Sequence, residues 1–451
     1  MEIRDPGDFE FGVATSSWQI EGDIAGRGRC TWDDFSETPG KVVDGATGAV
    51  ACDHVNRLEE DLDLLAWLGV DAYRFSISWP RVMPEGRGAL SESGLAFYDR
   101  LVDGLLARGI TPVATLYHWD LPSSLENEGG WVNRATADWF ADYAEAMVKH
   151  FSGRIRRWAT LNEPWCTAFL GYCAGYFAPG RTEPGASLEA AYNLILGHGL
   201  AVDRMRAVGA TDVGIVLNLI PIVSDSPSMD SVAAHVDGLQ NRIFLDLLAG
   251  RGVSEEVRAS CASVTDWAFV RDSDNAILGT PIDWMGVNYY TVMRVSEPKE
   301  RGSGAVGQDS SMFPACPPMS FAPRGFLTQM GWEIIPEGIV EALRIAERGL
   351  PGVPLWICEN GVAVDDVLDD TGVHDPIRTA YLADHINAVL DARREGVDVR
   401  GYFAWSLMDN LEWSSGWTMQ FGIVRVDPVT CQRTPKDSAH WYRSQLLARR
   451  P

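Results

Sequence analysis

Nowhere in this chain are two cysteines separated by only two residues. The eight it has (Cys30, Cys52, Cys166, Cys173, Cys261, Cys316, Cys358 and Cys431) are scattered. That spacing argues against a zinc site and against a disulfide framework, and leaves free, mostly structural thiols. The first residues carry neither the basic region nor the apolar run of a signal peptide. No stretch approaches the ~20 apolar residues of a spanning helix, and no N-x-S/T sequon occurs. These absences predict a cytoplasmic protein. Positive charge is scarce as well: 38 Lys and Arg against 62 Asp and Glu give a net charge of −24. Such a surface repels nucleic acid and anionic membranes, so neither is an expected partner, and the excess charge is assigned to solubility.

Several signatures are missing too. H-E-x-x-H, the P-loop and G-x-S-x-G do not occur. Gly302-Ser-Gly-Ala-Val-Gly307 matches G-x-G-x-x-G, but Gln-Asp-Ser-Ser-Met-Phe-Pro follows it where a phosphate-binding helix would have to begin. A dinucleotide site is therefore not expected. Asp365, Asp366, Asp369 and Asp370 lack the spacing of a calcium loop and read as a solvated one. None of these motifs supplies a metal or dinucleotide site.

What is present is ordinary globular composition, 46% hydrophobic and 22% charged over 451 residues, in a regular alternation. Short β-rich runs cover Phe9 to Ser17, Ala72 to Trp79, Thr111 to Trp119, Arg156 to Asn162, Asp212 to Ile220, Asp283 to Tyr290, Pro354 to Glu359 and Val399 to Leu407. After the first, Leu58, Leu62, Leu65 and Leu68 recur at helical spacing among acidic residues. Similar patterns occupy Ser91 to Arg108, Thr136 to Phe151, Leu188 to Val208, Val232 to Leu248, Pro336 to Arg348, Arg378 to Arg394 and Lys436 to Leu447. Eight strand-then-helix units without a break in composition predict one (β/α)8 barrel domain over residues 1–451, with elaborated βα loops. A doubly wound open sheet is the alternative. The Pro-, Gly- and Ser-rich stretch Ser296 to Arg324 reads as an insertion covering a site.

Two of the apolar runs stop on a carboxylate: Trp158-Ala-Thr-Leu-Asn-Glu-Pro-Trp165 on Glu163, and Pro354-Leu-Trp-Ile-Cys-Glu-Asn-Gly361 on Glu359. A charge at the end of a buried strand costs free energy unless it is paired or used. In a barrel, the fourth and seventh strands would deliver both to the C-terminal face, where catalytic groups sit. A lone strand-end glutamate is more often a helix cap or a salt-bridge partner. Two in matched Asn-Glu and Glu-Asn contexts favour the paired carboxylates of glycoside hydrolysis, where one protonates the leaving oxygen and the other attacks the anomeric carbon or activates water. Around them Trp18, Trp119, Trp165, Trp332, Trp405, Trp413 and Trp417, from a total of seventeen tryptophans, offer flat faces for sugar rings. Gln19, His118, Asn162, Asn288 and Glu412 can orient hydroxyl groups.

The ordered stretches Phe11-Gly-Val-Ala-Thr-Ser-Ser-Trp-Gln-Ile-Glu-Gly22, Tyr73-Arg-Phe-Ser-Ile-Ser-Trp79, Leu116-Tyr-His-Trp-Asp-Leu-Pro122, Thr160-Leu-Asn-Glu-Pro164, Gly286-Val-Asn-Tyr-Tyr290, Glu359-Asn-Gly361 and Trp405-Ser-Leu-Met-Asp-Asn-Leu-Glu-Trp413 resemble glycoside hydrolase family 1, its bacterial β-glucosidases in particular. The resemblance runs from about Phe9 to Tyr442. It implies a retaining, cofactor-free mechanism with Glu163 as acid/base and Glu359 as nucleophile. Arg74 and Tyr290 would hold and tune that nucleophile. Gln19, His118, Asn162, Glu412 and Trp413 would hold the non-reducing sugar, with Trp405 beneath it and Phe421 at its rim. Trp332, Asn218 and Trp165 match the leaving-group side. Cys358 stands where the family usually has Thr, and Tyr192 where a His is common. Glu412 is present and no Lys occurs in Trp417-Thr-Met-Gln-Phe421, so an unphosphorylated sugar is expected. The resulting expectation is a β-glucosidase acting on a small-molecule β-glycoside, with side activity on fucosides or galactosides. A transglycosylase using the same intermediate and a non-catalytic sugar-binding protein on the same fold are the rivals. Oligomeric state is not readable.

Overall fold

In the computed structural model, which describes residues 2–3, 7–298 and 309–449, the alternating runs close into a barrel. Its strands are β1 (Glu10–Ala14), β2 (Ala72–Ser76), β3 (Thr111–Tyr117), β4 (Arg157–Asn162), β5 (Asp212–Asn218), β6 (Trp284–Asn288), β7 (Leu355–Asn360) and β8 (Val399–Trp405). Around the barrel each pairs with its sequence neighbours, and β1 pairs with β8, Gly12 opposite Phe403. All these pairings are parallel. Pairing of the first strand with the last excludes the open-sheet alternative.

Helices follow the strands where the periodicity places them: α1 (Leu58–Leu68), α2 (Glu92–Ala107), α3 (Ala135–His150), α4 (Pro184–Ala207), α5 (Asp230–Asp237, continued through the wide turn Gly238–Arg242 into Ile243–Leu248), α6 (Pro336–Gly349), α7 (Pro376–Arg394) and α8 (Asp437–Ala448). The reasons are local. Glu59, Glu60 and Asp61 sit in the first turn of α1, where the helix dipole favours negative charge, and Gly69 ends it at φ 75°, which glycine adopts without a Cβ clash. Ser91 caps α2 by accepting from the amide of Gly94. Ile339, Ala342, Leu343 and Ala346 of α6 are buried at helical spacing, as a helix laid on a barrel requires.

The barrel interior is packed shut below the site. Trp284, Trp356 and Phe403 fill it, and they fit because glycines face them: a Cβ on Gly12 would fall 2.4 Å from the Phe403 ring, and one on Gly214 2.6 Å from the indole of Trp284. At the N-terminal end Arg157 pairs with Glu10 and lies over Trp356, 4.4 Å from the ring centroid. A cavity opens at the C-terminal end.

Some segments depart from the sequence reading. Asp366 is not solvated: its carboxylate is 5% exposed and pairs with Arg378 at 2.7 Å and with Lys436 at 2.5 Å. Two cations make that burial tolerable. Short strands absent from the reading also occur, namely Ile222–Ser224 with Met293–Ser296 and Ser320–Phe321, Val367–Asp369 with Gly372–His374, and Val424–Val426 with Arg433–Pro435. Within the Ser296 to Arg324 stretch the structure has a turn at Ser310–Met312 and a strand at Ser320–Phe321. The Gly302 to Gly307 motif lies outside the described residues. All eight cysteines are free thiols, and among the described residues no helix is long and apolar enough to cross a membrane.

Candidate active site

Backbone irregularity carries both carboxylates to the barrel mouth. Along β7, Trp356 and Cys358 belong to the interior cluster, so strict alternation would turn Glu359 outward. A register shift against β6 between Ile357 and Glu359 brings it back. On β4, Ala159 faces inward, and a shift against β5 between Ala159 and Asn162 does the same for Asn162. Glu163 follows with φ 44°, and Trp119 and Trp413 are left-handed as well, at 75° and 50°. Each such residue stores on the order of 1–3 kcal/mol of strain, which only a surrounding network keeps in place.

That network is polar and buried. Arg74, from β2, donates one guanidinium N–H to Glu359 Oε1 (2.7 Å) and another to Asn162 Oδ1 (2.6 Å). Tyr290 donates its hydroxyl to Glu359 Oε2 at 2.7 Å. Asn288 donates to Glu163 Oε1 at 2.6 Å and to Asn162 Oδ1 at 3.2 Å. Cys166, which the sequence reading left out, lies with its Sγ 3.0 Å from Glu163 Oε2. The available signal was its position three residues after Glu163, at the start of the helical turn Cys166–Cys173.

Asn162 is the hub. Its Oδ1 accepts from Arg74, so its amide N–H faces His118 Nε2 at 3.0 Å and makes that nitrogen the acceptor. Burial, helped by the charge of Arg74, holds His118 well below the usual imidazole range and hence neutral.

The two carboxyls are electrostatically distinct. Burial first, and then the charge of Glu359, push Glu163 up to about 7. Burial also raises Glu359, opposed by the charge and hydrogen bond of Arg74 and by the Tyr290 hydroxyl. Desolvation is the largest cause for both groups, and the charges of Arg74 and Glu359 act on top of it. Glu412 is pushed up to about 8 by burial and by the charge of Glu359, against the hydrogen bond from Gln19.

These groups open on a cavity of about 320 Å³. Of the sequence candidates, His118, Trp119, Glu163, Trp165, Asn218, Asn288, Tyr290, Trp332, Glu359, Trp405, Glu412, Trp413 and Phe421 line it. Arg74, Gln19 and Asn162 are buried just behind the lining. The Gln19 amide nitrogen donates to Leu411 O (2.7 Å) and Asn410 Oδ1 (2.9 Å), which holds the segment leading into Glu412. Trp18 backs Trp413 in a stack with centroids 5.6 Å apart and donates to Asp33, and neither it nor Trp417 lines the cavity. Cys358 points down against Gly286, and the Tyr192 hydroxyl donates to Asp274, so neither side chain touches the carboxylates. From the expected insertion, Met312 reaches the lining. Val43, Leu170, Tyr176, Phe177, Ile220 and Met293 also line the cavity, and no sequence signal singled them out.

A (β/α)8 barrel with two buried carboxyls facing one aromatic-walled cavity at its C-terminal mouth has the architecture of a glycoside hydrolase. The chain belongs to Glycosyl hydrolase family 1, whose sequence model matches residues 1–450, and it is a glycoside hydrolase. It is 44% identical to thermostable beta-glucosidase B of Thermobispora bispora over 98% of this chain and 90% of that one. It is 42% identical to the bifunctional beta-D-glucosidase/beta-D-fucosidase of Bifidobacterium breve over 98% of each. The crystal structure of the psychrophilic beta-glucosidase BglU from Micrococcus antarcticus superposes with a TM-score of 0.94 at 40% identity, covering 98% of this chain and 97% of that one.

Proposed function

We propose that residues 1–451 form one catalytic domain of a retaining β-glucosidase, which releases terminal non-reducing β-D-glucosyl residues from short cello-oligosaccharides or from aryl and alkyl β-glucosides. One observation carries the reading: two carboxyls share a cavity but not an environment. Glu359 receives an arginine and a phenol, whereas Glu163 receives an amide and a thiol. A cation favours the ionised form, so Glu359 is the nucleophile. The acid is the group without one, Glu163, whose pKa of about 7 keeps its proton available at neutral pH.

Glu359 attacks the anomeric carbon while Glu163 gives its proton to the departing oxygen. The glycosyl ester that forms on Glu359 cancels the charge that had raised Glu163. Glu163, left as a carboxylate by that transfer, now stays ionised at a lower pKa and takes the proton of the water that cleaves the ester, with net retention. His118, Trp405, Glu412 and Trp413 enclose the glucosyl unit, and Gln19 and Asn162 hold that enclosure from behind. Trp165, Trp332 and Asn218 lie toward the leaving group. Turnover of fucosides or galactosides is part of the reading, supported by the relative named for both glucosidase and fucosidase activity. Eight free thiols suit a reducing, cytoplasmic compartment.

Azide and an activated aryl β-glucoside test the assignment. With Glu359→Ala, a small anion enters the vacated space and displaces the leaving group once, giving the α-glucosyl azide. With Glu163→Ala, the ester still forms, and azide attacks it to give the β product. The same product from both variants would overturn the division of roles.

A further inference from the structure

Strand β7 carries one residue more than either neighbour. From Ile357 to Glu359 it advances two positions while β6 advances one, Val287 to Asn288; from Ile357 to Asn360 it advances three while β8 advances two, Tyr402 to Ala404. Such a bulge re-aims a side chain, here Glu359, and leaves the ladder broken beside it. Regular pairing therefore does not fix the direction of this carboxylate.

Asn360 fills the gap. Its side-chain amide is fully buried and engaged on three sides: Nδ2 donates to Tyr289 O at 2.6 Å and to the Tyr381 hydroxyl at 2.9 Å, while Oδ1 accepts from the Tyr402 hydroxyl at 2.7 Å. The backbone N–H of Tyr289 donates to Glu359 O at 3.0 Å, so the ends of β6 and β7 are tied in both directions. Tyr381, from α7, is held in a stack on His385 with centroids 3.8 Å apart. Tyr289, Tyr381 and Tyr402 belong to the core outside the barrel interior, and neither they nor Asn360 line the cavity. Successive side chains of a strand point to opposite faces, so the contacts that hold Asn360 outward turn Glu359 inward. The tie to Tyr289 acts likewise on Tyr290, whose hydroxyl meets Glu359 Oε2. Beyond Asn360 the chain runs so close to β8 that a Cβ on Gly361 would fall 1.7 Å from Trp405 O.

On the reading of this site as a retaining β-glucosidase, we infer that Asn360, seated on Tyr381 and Tyr402, is a positioning residue for the nucleophile: it fixes the bulge and thereby aims Glu359 at Arg74, Tyr290 and the anomeric carbon. It touches no substrate itself. A buried polar network with its groups satisfied holds one geometry rigidly, and a displacement of about 1 Å at a reacting atom costs about 100-fold in rate.

Asn360→Ala and Tyr402→Phe test this on 4-nitrophenyl β-glucoside, whose leaving group needs little protonation, so that kcat/KM reports attack by Glu359. Asn360→Ala should lower it about 100-fold, and Tyr402→Phe, which removes one hydrogen bond, about three- to tenfold. The inhibition constant of D-glucose should hardly move in either variant, since the groups that enclose the sugar are untouched. The acid limb of kcat/KM follows ionisation of Glu359. In Asn360→Ala that carboxyl stays buried but loses its aim at Arg74 and Tyr290, so its pKa rises and the limb should move to higher pH. The other titratable groups facing it, Glu163, Cys166, Cys358 and Glu412, are unaltered. Limb position and inhibition constant are independent of the folded fraction, so partial misfolding shifts neither, and Tyr402→Phe decides alone where the Ala variant does not fold. A limb that stays in place, glucose binding lost in step with kcat/KM, or Tyr402→Phe as active as the unaltered enzyme overturns the inference and leaves the glucosidase reading standing. Failure of the unaltered enzyme to cleave 4-nitrophenyl β-glucoside overturns that reading itself.

Discussion

Asn288 donates its amide N–H to Glu163 Oε1 across 2.6 Å, and this bond decides which oxygen of the acid carries the proton. With Oε1 held as an acceptor, the proton sits on Oε2, beside the Cys166 sulfur at 3.0 Å. A thiol can accept from the protonated carboxyl and donate to the ionised one by rotating its S–H. In the proposed mechanism this lets the pair serve Glu163 both as acid and as base.

Replacing Asn288 with Ala should lower kcat/KM on alkyl glucosides by about 10- to 100-fold, the range for a hydrogen bond to a charged group. The loss on 4-nitrophenyl glucoside should be smaller, since that leaving group needs little protonation. Equal losses on both substrates would place Asn288 in sugar binding instead of acid positioning.

The pH dependence follows from the sign of the Glu163 shift. A carboxyl raised to about 7 stays protonated below that pH, so hydrolysis of alkyl glucosides should fall as pH rises through about 7. Glu359→Gln removes the neighbouring negative charge but not the burial, so the Glu163 pKa should drop only part of the way to the usual carboxylate value. NMR titration of carbon-13-labelled glutamate reads this directly. An unchanged pKa would mean that burial acts alone and that forming the ester cannot switch Glu163 from acid to base.

Glu412, raised to about 8 by burial and by the charge of Glu359, is in large part a neutral carboxyl at pH 7 and can donate as well as accept. Glu412→Ala should cost about tenfold or more in kcat/KM on glucosides. It should cost less on fucosides, which lack the 6-hydroxyl. A glucoside-to-fucoside ratio that does not move would remove Glu412 from recognition of that end of the sugar.

Lys436 is fully buried between Asp366 (2.5 Å) and Asp409 (2.8 Å). Lys436→Met leaves two buried carboxylates short of a cation, and breaking such a pair costs about 3–5 kcal/mol. Denaturant unfolding should report a destabilisation of that size. It should shrink when Asp409→Asn is added, because one stranded charge is then gone.

The strands and helices were legible because period-two and period-3.6 patterns alternate cleanly along the chain, and Glu163 and Glu359 stood out as charges closing apolar runs. Their final aim was not legible. It depends on the register shifts within β4 and β7, which no residue type announces. The outer lining of the cavity was hidden for another reason: Val43, Leu170, Met293 and Met312 come from separate segments of the chain, and each is individually an ordinary apolar residue. Asp366 misled because a run of acids reads as solvated, while its partners, Arg378 and Lys436, stand 12 and 70 residues further along the chain.

Pairing of β1 with β8 also bears on how the molecule comes into being. Residues 10–14 wait for residues 401–405, so through most of synthesis the emerging sheet has two unpaired edges, each able to recruit a foreign strand. The Gln19 amide likewise has no Asn410 or Leu411 to grip until the last tenth of the chain has left the ribosome. Catalytic competence therefore arrives late in translation, because a chain that still lacks residues 401–411 has neither a closed barrel nor the grip of Gln19 on the segment before Glu412.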